Sequence, residues 1–310
     1  MFSSDDQNKS CIKKPSAERS PHALPLAQKL SAQTLSKRLD KTRELPTLPS
    51  VAIQVNQMLE DIETPAQQLA RVIELDQAIA PKLLKLVNSA FFGFSSKVSS
   101  VSHAVMLLGF NTVRNALLSI SVIDILGVQK KLPGFDIRQF WRHAVGVAVS
   151  TSHLDKQTGG HHRESAFTAG LIHDIGKIVM AQFFSEQMAL VIEDTGKQQI
   201  NFLEAEKRYF AMGHAAMGAY LAKRWNLPDA MTQAVKRHHN INHSDDVLAL
   251  LVHTADALVN THLIQGPEEL QWPICQAAWN LLGQQIQTAR EWMPALSNEI
   301  DSACKFFLEE

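Results

Sequence analysis

The sequence of 310 residues has few cysteines, almost no net charge and no long apolar run. Its three cysteines, Cys11, Cys275 and Cys304, are widely spaced and odd in number. That pattern argues against a disulfide framework and against a cysteine-ligated zinc site. A formal net charge of -1 gives no overall attraction to nucleic acid or to an anionic membrane. Any such partner would need a local basic patch, and none dominates the sequence.

Signals for export and for membrane insertion are also missing. The most apolar run in the later part of the chain, residues 115–128, is interrupted by Ser119, Ser121 and Asp124 and is too short to span a bilayer comfortably. The first residues, MFSSDDQNKS, do not lead from a basic segment into an apolar one, as a secretory signal would. We therefore expect a cytoplasmic protein without a membrane partner.

Alternating β-branched runs are absent, whereas apolar residues at helical spacing recur along the chain, which predicts an all-α protein. Residues 1–25 are polar and contain three prolines, which is typical of a disordered tail. The segment KKLPGFD, at residues 130–136, is polar and rich in helix breakers. We therefore predict an N-terminal helical part over residues 26–135 and a second helical part, with the C-terminal helices, over residues 136–310.

A short helix ending at Gly109 and a second helix beginning near Asn111 could form a helix-turn-helix motif for DNA. The second helix, however, is apolar along most of its length and offers only Arg114 to a phosphate or a base. A pair of core helices is the better interpretation, and no direct DNA binding is expected.

The segment from Ser165 to Val179, SAFTAGLIHDIGKIV, is typical of an apolar helix with His173 and Asp174 at its centre. A buried imidazole and a buried carboxylate need partners, because desolvating an ionised carboxylate costs on the order of several kcal/mol. A metal ion between the two side chains is one explanation. A hydrogen-bonded core pair is the other, and the dipeptide alone leaves both open.

Further histidines and one aspartate lie on, or at the ends of, the neighbouring predicted helices. Helices of one bundle can bring such residues to one internal site, and imidazole nitrogen and carboxylate oxygen bind divalent first-row metals. An aspartate with two oxygens, such as Asp174, could bridge two ions. The additional candidate ligands, in chain order, are His143, His214, His238, His239 and Asp256.

For these candidates a structural role remains open beside metal binding. His143, His214 and Asp256 fit either metal binding or satisfied core polarity. The pair His238 and His239 could instead be solvated at a helix end and favoured by the helix dipole. His253 is expected to pack in the core or to support Asp256 without being a ligand itself. Loop positions are expected for His161, His162 and His243.

The pattern of His143, His173–Asp174 and Asp256 resembles the HD superfamily of metal-dependent phosphohydrolases. A closer resemblance, to the HDOD family, covers about Leu45 to Leu258. The motifs that carry it are LPTLPSVA, DQAIAPKLLKLVNSAFFG, SHAVMLLGFNTVRNALLS, FWRHA, AGLIHDIGKIV, then His214, RWNLP and the pair His238–His239.

This resemblance implies a multi-helix HDOD fold, in which an N-terminal helical subdomain packs on an HD-like bundle and can cover its site. It also implies a bacterial signal-transduction role. Asp174 and Lys177 would be the catalytic residues, with Lys177 in a position to contact a phosphate, and the metal would be iron, manganese, zinc or magnesium. The metal ligands implied by position are His143, His173, Asp174, His214, His238, His239 and Asp256.

The chain departs from the related HD-GYP cyclic-dinucleotide phosphodiesterases. Those enzymes follow their paired histidines with a glycine-tyrosine-proline element, whereas this chain reads Asn240-Ile241-Asn242-His243. That departure argues against hydrolysis of cyclic di-GMP.

Two functions therefore remain. The favoured one is a regulatory or output module that binds a signalling protein or a nucleotide second messenger and retains a divalent metal site or none. The alternative is a metal-dependent phosphohydrolase that cleaves a phosphoester through a mono- or dinuclear His/Asp site.

Overall fold

The computed structural model describes residues 29–41, 45–58, 65–88, 97–127, 132–198, 200–241, 246–262 and 273–308. The predicted tail, Cys11 and His243 lie outside these ranges. The described part of the chain is built of α-helices and contains no β-strand, which confirms the all-α prediction. Its one pairing of extended backbone is an isolated bridge between Leu30 and Phe210.

Six helices precede the predicted boundary at residue 136, and ten follow it, in the described ranges. The first six are α1 (Ala32–Lys41), α2 (Ser50–Met58), α3 (Ala66–Glu74), α4 (Ile79–Val87), α5 (Val101–Leu108) and α6 (Phe110–Leu126). The next ten are α7 (Ile137–Gln157), α8 (Ala166–Ile172), α9 (Ile175–Phe183), α10 (Ser185–Gln198), α11 (Phe202–Tyr209), α12 (His214–Arg224), α13 (Asp229–Arg237), α14 (Val247–His262), α15 (Gln276–Gln287) and α16 (Ala289–Phe307).

Helix α7 is the central element of the second half, because it is buried from Phe140 to Asp155 on most of its surface. Its start is set by Asp136, whose side chain accepts hydrogen bonds from the backbone N–H groups of Arg138 and Gln139 at 2.8 and 3.3 Å. This satisfies two of the backbone donors that the first turn of a helix leaves unpaired. The helix is thereby fixed at the end nearest the candidate site.

The N-terminal helices pack against α12 of the second half. The indole N–H of Trp225 donates to the Pro46 carbonyl at 2.8 Å, and the Asn56 side-chain amide donates to the Trp225 carbonyl at 3.3 Å. A continuous apolar core runs from Leu35 in α1 to Phe307 in α16. The packing implied by the resemblance is therefore present, while the boundary at residue 136 stays a prediction.

In the described ranges, no single helix is both long and apolar enough to cross a membrane. One bent pair, residues 166–183 and 185–197, meets the length and composition requirement across a 116° bend.

Candidate metal centre

The expected single helix over residues 165–179 is wrong in one respect. The helix is interrupted at His173 and Asp174, which form a turn between α8 and α9. Asp174 has backbone angles of φ -103° and ψ 6°, which are not helical, and its side chain caps no backbone N–H. Its carboxylate is therefore left for other partners.

Five segments deliver the seven residues predicted as metal ligands to one buried place. Helix α7 contributes His143, the α8–α9 turn contributes two residues, α12 begins with His214, the end of α13 contributes two histidines and α14 contributes Asp256. We call these residues the His/Asp cluster, which comprises His143, His173, Asp174, His214, His238, His239 and Asp256.

Two glycines allow α9 and α12 to approach each other at the backbone. A Cβ atom on Gly176 would lie 1.9 Å from the His214 carbonyl oxygen and 2.8 Å from the backbone nitrogen of Gly218. Real Cβ atoms do not approach other atoms this closely, so only glycine fits at position 176. This close packing brings the first turn of α12, and with it His214, beside Asp174.

The Asp174 carboxylate lies between two groups of histidines. Its Oδ1 atom is 3.1 Å from Nε2 of His214 and 3.6 Å from Nε2 of His238. Its Oδ2 atom is 3.4 Å from Nε2 of His173 and 3.8 Å from Nε2 of His143. Each oxygen therefore faces a different half of the cluster.

Within each half, the ligand atoms lie close enough to surround one ion. One group comprises Asp174, His214, His238 and His239, and the other comprises His143, His173 and Asp256. In each group one ligand atom per residue lies within 4.8 Å of all the others. The two groups adjoin, because His143 Nε2 is 3.1 Å from Asp256 Oδ1 and lies near Asp174 as well.

Hydrogen bonds at Nδ1 orient three of the imidazole rings. His173 and His238 each donate from Nδ1 to the carbonyl oxygen three residues earlier, at 2.7 Å. His214 donates from Nδ1 to Glu206 Oε2 at 2.8 Å. In each neutral ring the remaining nitrogen, Nε2, then carries a lone pair, and all three lone pairs face Asp174. Metal-ligating histidines are commonly held in this way.

This convergence of lone pairs fits a cation. Nε2 of His214 is 3.4 Å from Nε2 of His238 and 3.1 Å from Nε2 of His239. Within the described ranges, His173 Nε2 and Asp174 Oδ1 are buried and have no hydrogen-bond partner. Buried polar atoms are seldom left unpaired, and a donor set of imidazole nitrogen and carboxylate oxygen suits divalent first-row ions. The residues present therefore fit the metal that the resemblance implies.

The charges of the buried groups in the cluster also bear on metal binding. Burial by itself would raise the pKa of Asp174, but Lys177 and His173 hold that pKa well below its usual range. Burial would lower the pKa of His173, yet Asp174 and Asp256 raise it to about 10, so this ring holds a proton without a metal and would have to release it to bind one. Burial and the neighbouring imidazoles lower the pKa of His238 to about 4, so this ring is neutral at ordinary pH. The carboxylates thus need positive charge, and His238 offers a free lone pair.

Sequence reasoning did not identify two residues that support the cluster. Buried Glu206, on α11, accepts hydrogen bonds from both the backbone N–H and Nδ1–H of His214, each at 2.8 Å. Asn260 donates from Nδ2 to Asp256 Oδ1 at 2.9 Å. Asn260 follows Asp256 by one helical turn, a spacing that could have revealed it. Glu206 had no comparable signal, because its contact with His214 depends on how α11 and α12 are connected.

His253 was expected to pack or to support Asp256, and it packs: the side chain is buried and makes no hydrogen bond to Asp256. His253 instead donates from Nδ1 to the backbone carbonyl of His238 at 2.7 Å, and its Nε2 accepts from the backbone N–H of Cys275 at 3.1 Å. The side chain therefore joins the end of α13 to the segment before α15. It positions the backbone that carries His238 rather than the Asp256 carboxylate.

A cavity of about 420 Å³ lies against the cluster and exposes His143, Asp174 and Lys177. Lys177 pairs with Asp174 Oδ2, and its ammonium group lies 4.9 Å from the centre of the Phe202 ring. Its described lining residues are Asn260 and fourteen residues that lie between positions 134 and 202. In the described ranges, the N-terminal helices therefore do not contribute to it, although the resemblance implied that this half can cover the site. We call this space the metal-site cavity.

The model of the HDOD domain matches residues 45–241 of this sequence. The chain belongs to the HDOD family. Similar folds occur in an HDOD domain protein of unknown function from Geobacter sulfurreducens, with a TM-score of 0.73 and 23% identity over 88% of this chain and 97% of that one. A Shewanella amazonensis SB2B protein, named as a candidate phosphohydrolase, gives a TM-score of 0.67 and 22% identity over 87% of this HDOD chain and 97% of its own.

A curated relative from Treponema pallidum (strain Nichols), named an uncharacterized protein, is 26% identical over 243 residues. The match covers 76% of this HDOD chain and 47% of that protein, so the chain spans about half the length of the curated relative. At these identities the solved structures show a common fold and do not show a common chemistry.

Proposed function

We propose that this HDOD protein holds two divalent metal ions and hydrolyses a phosphoester that enters the metal-site cavity. The observation that carries the proposal is the position of Asp174. Its Oδ1 atom faces His214 and His238, while its Oδ2 atom faces His173 and His143. A carboxylate with one oxygen in each half of a ligand cluster is suited to bridge two ions.

The two halves would each hold one ion. Asp174, His214, His238 and His239 would serve the first, and His143, His173, Asp256 and the second oxygen of Asp174 would serve the other. Such a pair of ions lowers the pKa of water and neutralises phosphate oxygens during phosphoester hydrolysis. The identity of the ions, among iron, manganese, zinc and magnesium, is left to measurement.

The residues around the cavity would bind and orient the substrate. Lys177 lies at the boundary between the cluster and the cavity, where its ammonium group can neutralise a phosphate oxygen. Phe140 and Phe202 line the same space and would pack against the apolar part of the substrate. Gln139 and Asn201 add side-chain amides that can donate to it.

The sequence alone favoured a binding module, and the geometry favours hydrolysis for two reasons. The seven candidate ligands lie together, and the cluster opens directly into a cavity of about 420 Å³, which lies in the size range of small-molecule sites. The second candidate is a metal-dependent receptor that binds an organic phosphate in the same cavity without turning it over. It rests on the same cluster and differs only in the reaction.

The deciding experiment has two steps. The purified protein is first analysed for metal without added ions, and about two equivalents are expected. Hydrolysis of bis(p-nitrophenyl) phosphate, p-nitrophenyl phosphate and a panel of nucleotides is then measured with added manganese. The Asp174→Asn variant should bind less metal and lose roughly a hundredfold or more of the turnover, because a bridging ligand is removed.

The matched control is Asp229→Asn, which changes an exposed aspartate at the start of α13. It should keep both metal and turnover. Two bound ions without turnover of any substrate would favour the metal-dependent receptor. If no metal binds after reconstitution with each of the four ions, both functions fail and the cluster is a structural core of polar residues.

A further inference from the structure

A second cavity, of about 340 Å³, lies on the opposite side of the first turns of α7. Ile137, Arg138 and Trp141 line it, whereas Gln139 and His143, on the other face of the helix, line the metal-site cavity. The two cavities share no lining residue. We call this second space the α7–α16 cavity; its remaining walls are Lys82, Lys85, Ile120, Ile123, Asp124, Gly127, Phe306, Phe307 and Leu308.

The α7–α16 cavity carries a local positive charge. Lys82, Lys85 and Arg138 line it, and Asp124 is the one acidic residue among its described lining residues. Lys82 pairs with Asp124 at 2.7 Å, which leaves Lys85 and Arg138 without an acidic partner among those described residues. In the described ranges neither of these two residues makes a salt bridge. The excess is notable in a chain whose formal net charge is -1, since it is placed beside a cavity.

A buried hydrogen-bond donor lies in the same wall. Trp141 is 2% exposed, and within the described ranges its indole N–H has no acceptor. Buried indole N–H groups usually find a partner, because leaving one unpaired costs about 1–3 kcal/mol. The ring itself is held edge-on against Phe140, with 5.0 Å between ring centres. An acceptor that a ligand brings to this wall would satisfy the donor.

The α7–α16 cavity also has apolar walls, against which the body of a ligand could pack. The Phe306 ring lies half-buried under the Lys85 ammonium group, 5.5 Å from the ring centre. Ile120 and Ile123 of α6 and Phe307 of α16 add aliphatic and aromatic surface. Apolar walls with a few converging polar groups are typical of sites for small molecules.

We propose that the α7–α16 cavity binds a small organic anion with a flat apolar body. Its anionic group pairs with Lys85 and Arg138, its body packs on Phe306 and the isoleucines, and one of its oxygens accepts from the Trp141 indole. An organic phosphate and an aromatic carboxylate share this chemistry. The inference does not depend on the proposed hydrolysis, since no residue of the His/Asp cluster takes part.

The test uses the full-length protein with ¹⁵N-labelled tryptophan. The Trp141 indole resonance is assigned by its loss in Trp141→Phe, and phenyl phosphate or phenylacetate is titrated. A saturable downfield shift of that resonance is expected, because the N–H gains an acceptor. Inorganic phosphate, which lacks the ring, and benzyl alcohol, which lacks the charge, should bind more weakly. A response to one anion alone identifies its head group as the preferred one.

Variants locate the anion. Lys85→Gln and Arg138→Gln change exposed side chains, and each should weaken binding by about tenfold, as expected for loss of a charge-assisted contact. Lys223→Gln, an exposed lysine on α12, is the matched control and should leave binding unchanged. The proposal is overturned if the Trp141 resonance responds to neither anion. It is equally overturned if Lys177→Gln abolishes binding while Lys85→Gln and Arg138→Gln do not, because the anion would then lie in the metal-site cavity.

Discussion

At the scale of single residues, the cluster is organised by the acceptors of the Nδ1–H groups. Two histidines use a backbone carbonyl, so their ring orientation follows from the local fold of their own segments. His214 instead depends on the side chain of Glu206, which lies on another helix. Among the supporting residues, we therefore expect substitution of Glu206 to have the most direct effect on metal affinity.

We expect Glu206→Gln to lower metal affinity by roughly ten- to a hundredfold. The neutral amide oxygen is a weaker acceptor than the carboxylate for the backbone N–H and Nδ1–H of His214. Metal affinity is measured by competition with a chromogenic chelator. A thermal melt of each metal-free variant separates loss of metal from loss of fold.

Glu204→Gln is the matched control, because Glu204 lies on the same helix and is exposed. It should bind metal like the unmodified protein. Equal affinities of the two variants would show that the contact between Glu206 and His214 does not position a metal ligand.

At the scale of helices, the approach of α9 to α12 decides where His214 lies. A side chain at Gly176 would overlap the backbone carbonyl of His214, which has no rotamer by which to move away. Gly218 offers its backbone to the same contact. Helix α7 lies between the two cavities and turns a different face to each.

Gly176→Ala should destabilise the protein by about 1–3 kcal/mol, because the added methyl group forces the two helices apart. The free energy of unfolding is measured by urea denaturation. Metal affinity should fall in parallel, since His214 moves away from Asp174.

Gly196→Ala provides the contrast. Gly196 lies inside α10, and a Cβ atom there would meet no atom within 4 Å. Replacing it should stabilise the helix by about 0.5–1 kcal/mol, because alanine loses less conformational entropy on folding. If both substitutions change stability by the same amount and sign, the close contact at Gly176 is not the reason for its effect.

At the scale of the whole molecule, the His/Asp cluster joins distant parts of the chain. Its residues extend from His143 to Asp256 and come from α7, the α8–α9 turn, α12, the end of α13 and α14. The two ligand groups are assembled only in the folded protein. The metal site and the stability of the second half should therefore be thermodynamically linked.

Removal of metal by a chelator should lower the melting temperature. At a free metal concentration a hundred times the dissociation constant, binding contributes about 2.7 kcal/mol to the free energy of unfolding. His173→Gln removes a ligand from one half of the cluster and should therefore reduce the response to chelator. Differential scanning calorimetry with and without chelator measures both effects.

His161→Ala is the control for that experiment, because His161 is exposed in the turn before α8. It should respond to chelator like the unmodified protein. A response that persists unchanged in His173→Gln would place the stabilising metal elsewhere.

Several properties of this protein could be predicted from the sequence because they depend on residue type and local spacing. The absence of alternating β-branched runs predicted an all-α fold, and the order of motifs from LPTLPSVA to the pair His238–His239 predicted the HDOD family. The seven candidate ligands were named from their order along the predicted helices and from the resemblance to HD proteins. The metal function of those residues stays a prediction, although they do lie together.

The tertiary structure decided what depends on distances between helices. The close contact at Gly176 decides which histidines each oxygen of Asp174 faces. The link between α11 and α12 places Glu206 beside His214. His253 was expected to pack or to support Asp256, and its packing turns it to the end of α13. Both cavities lie between segments far apart in the chain, so no local pattern could have shown them.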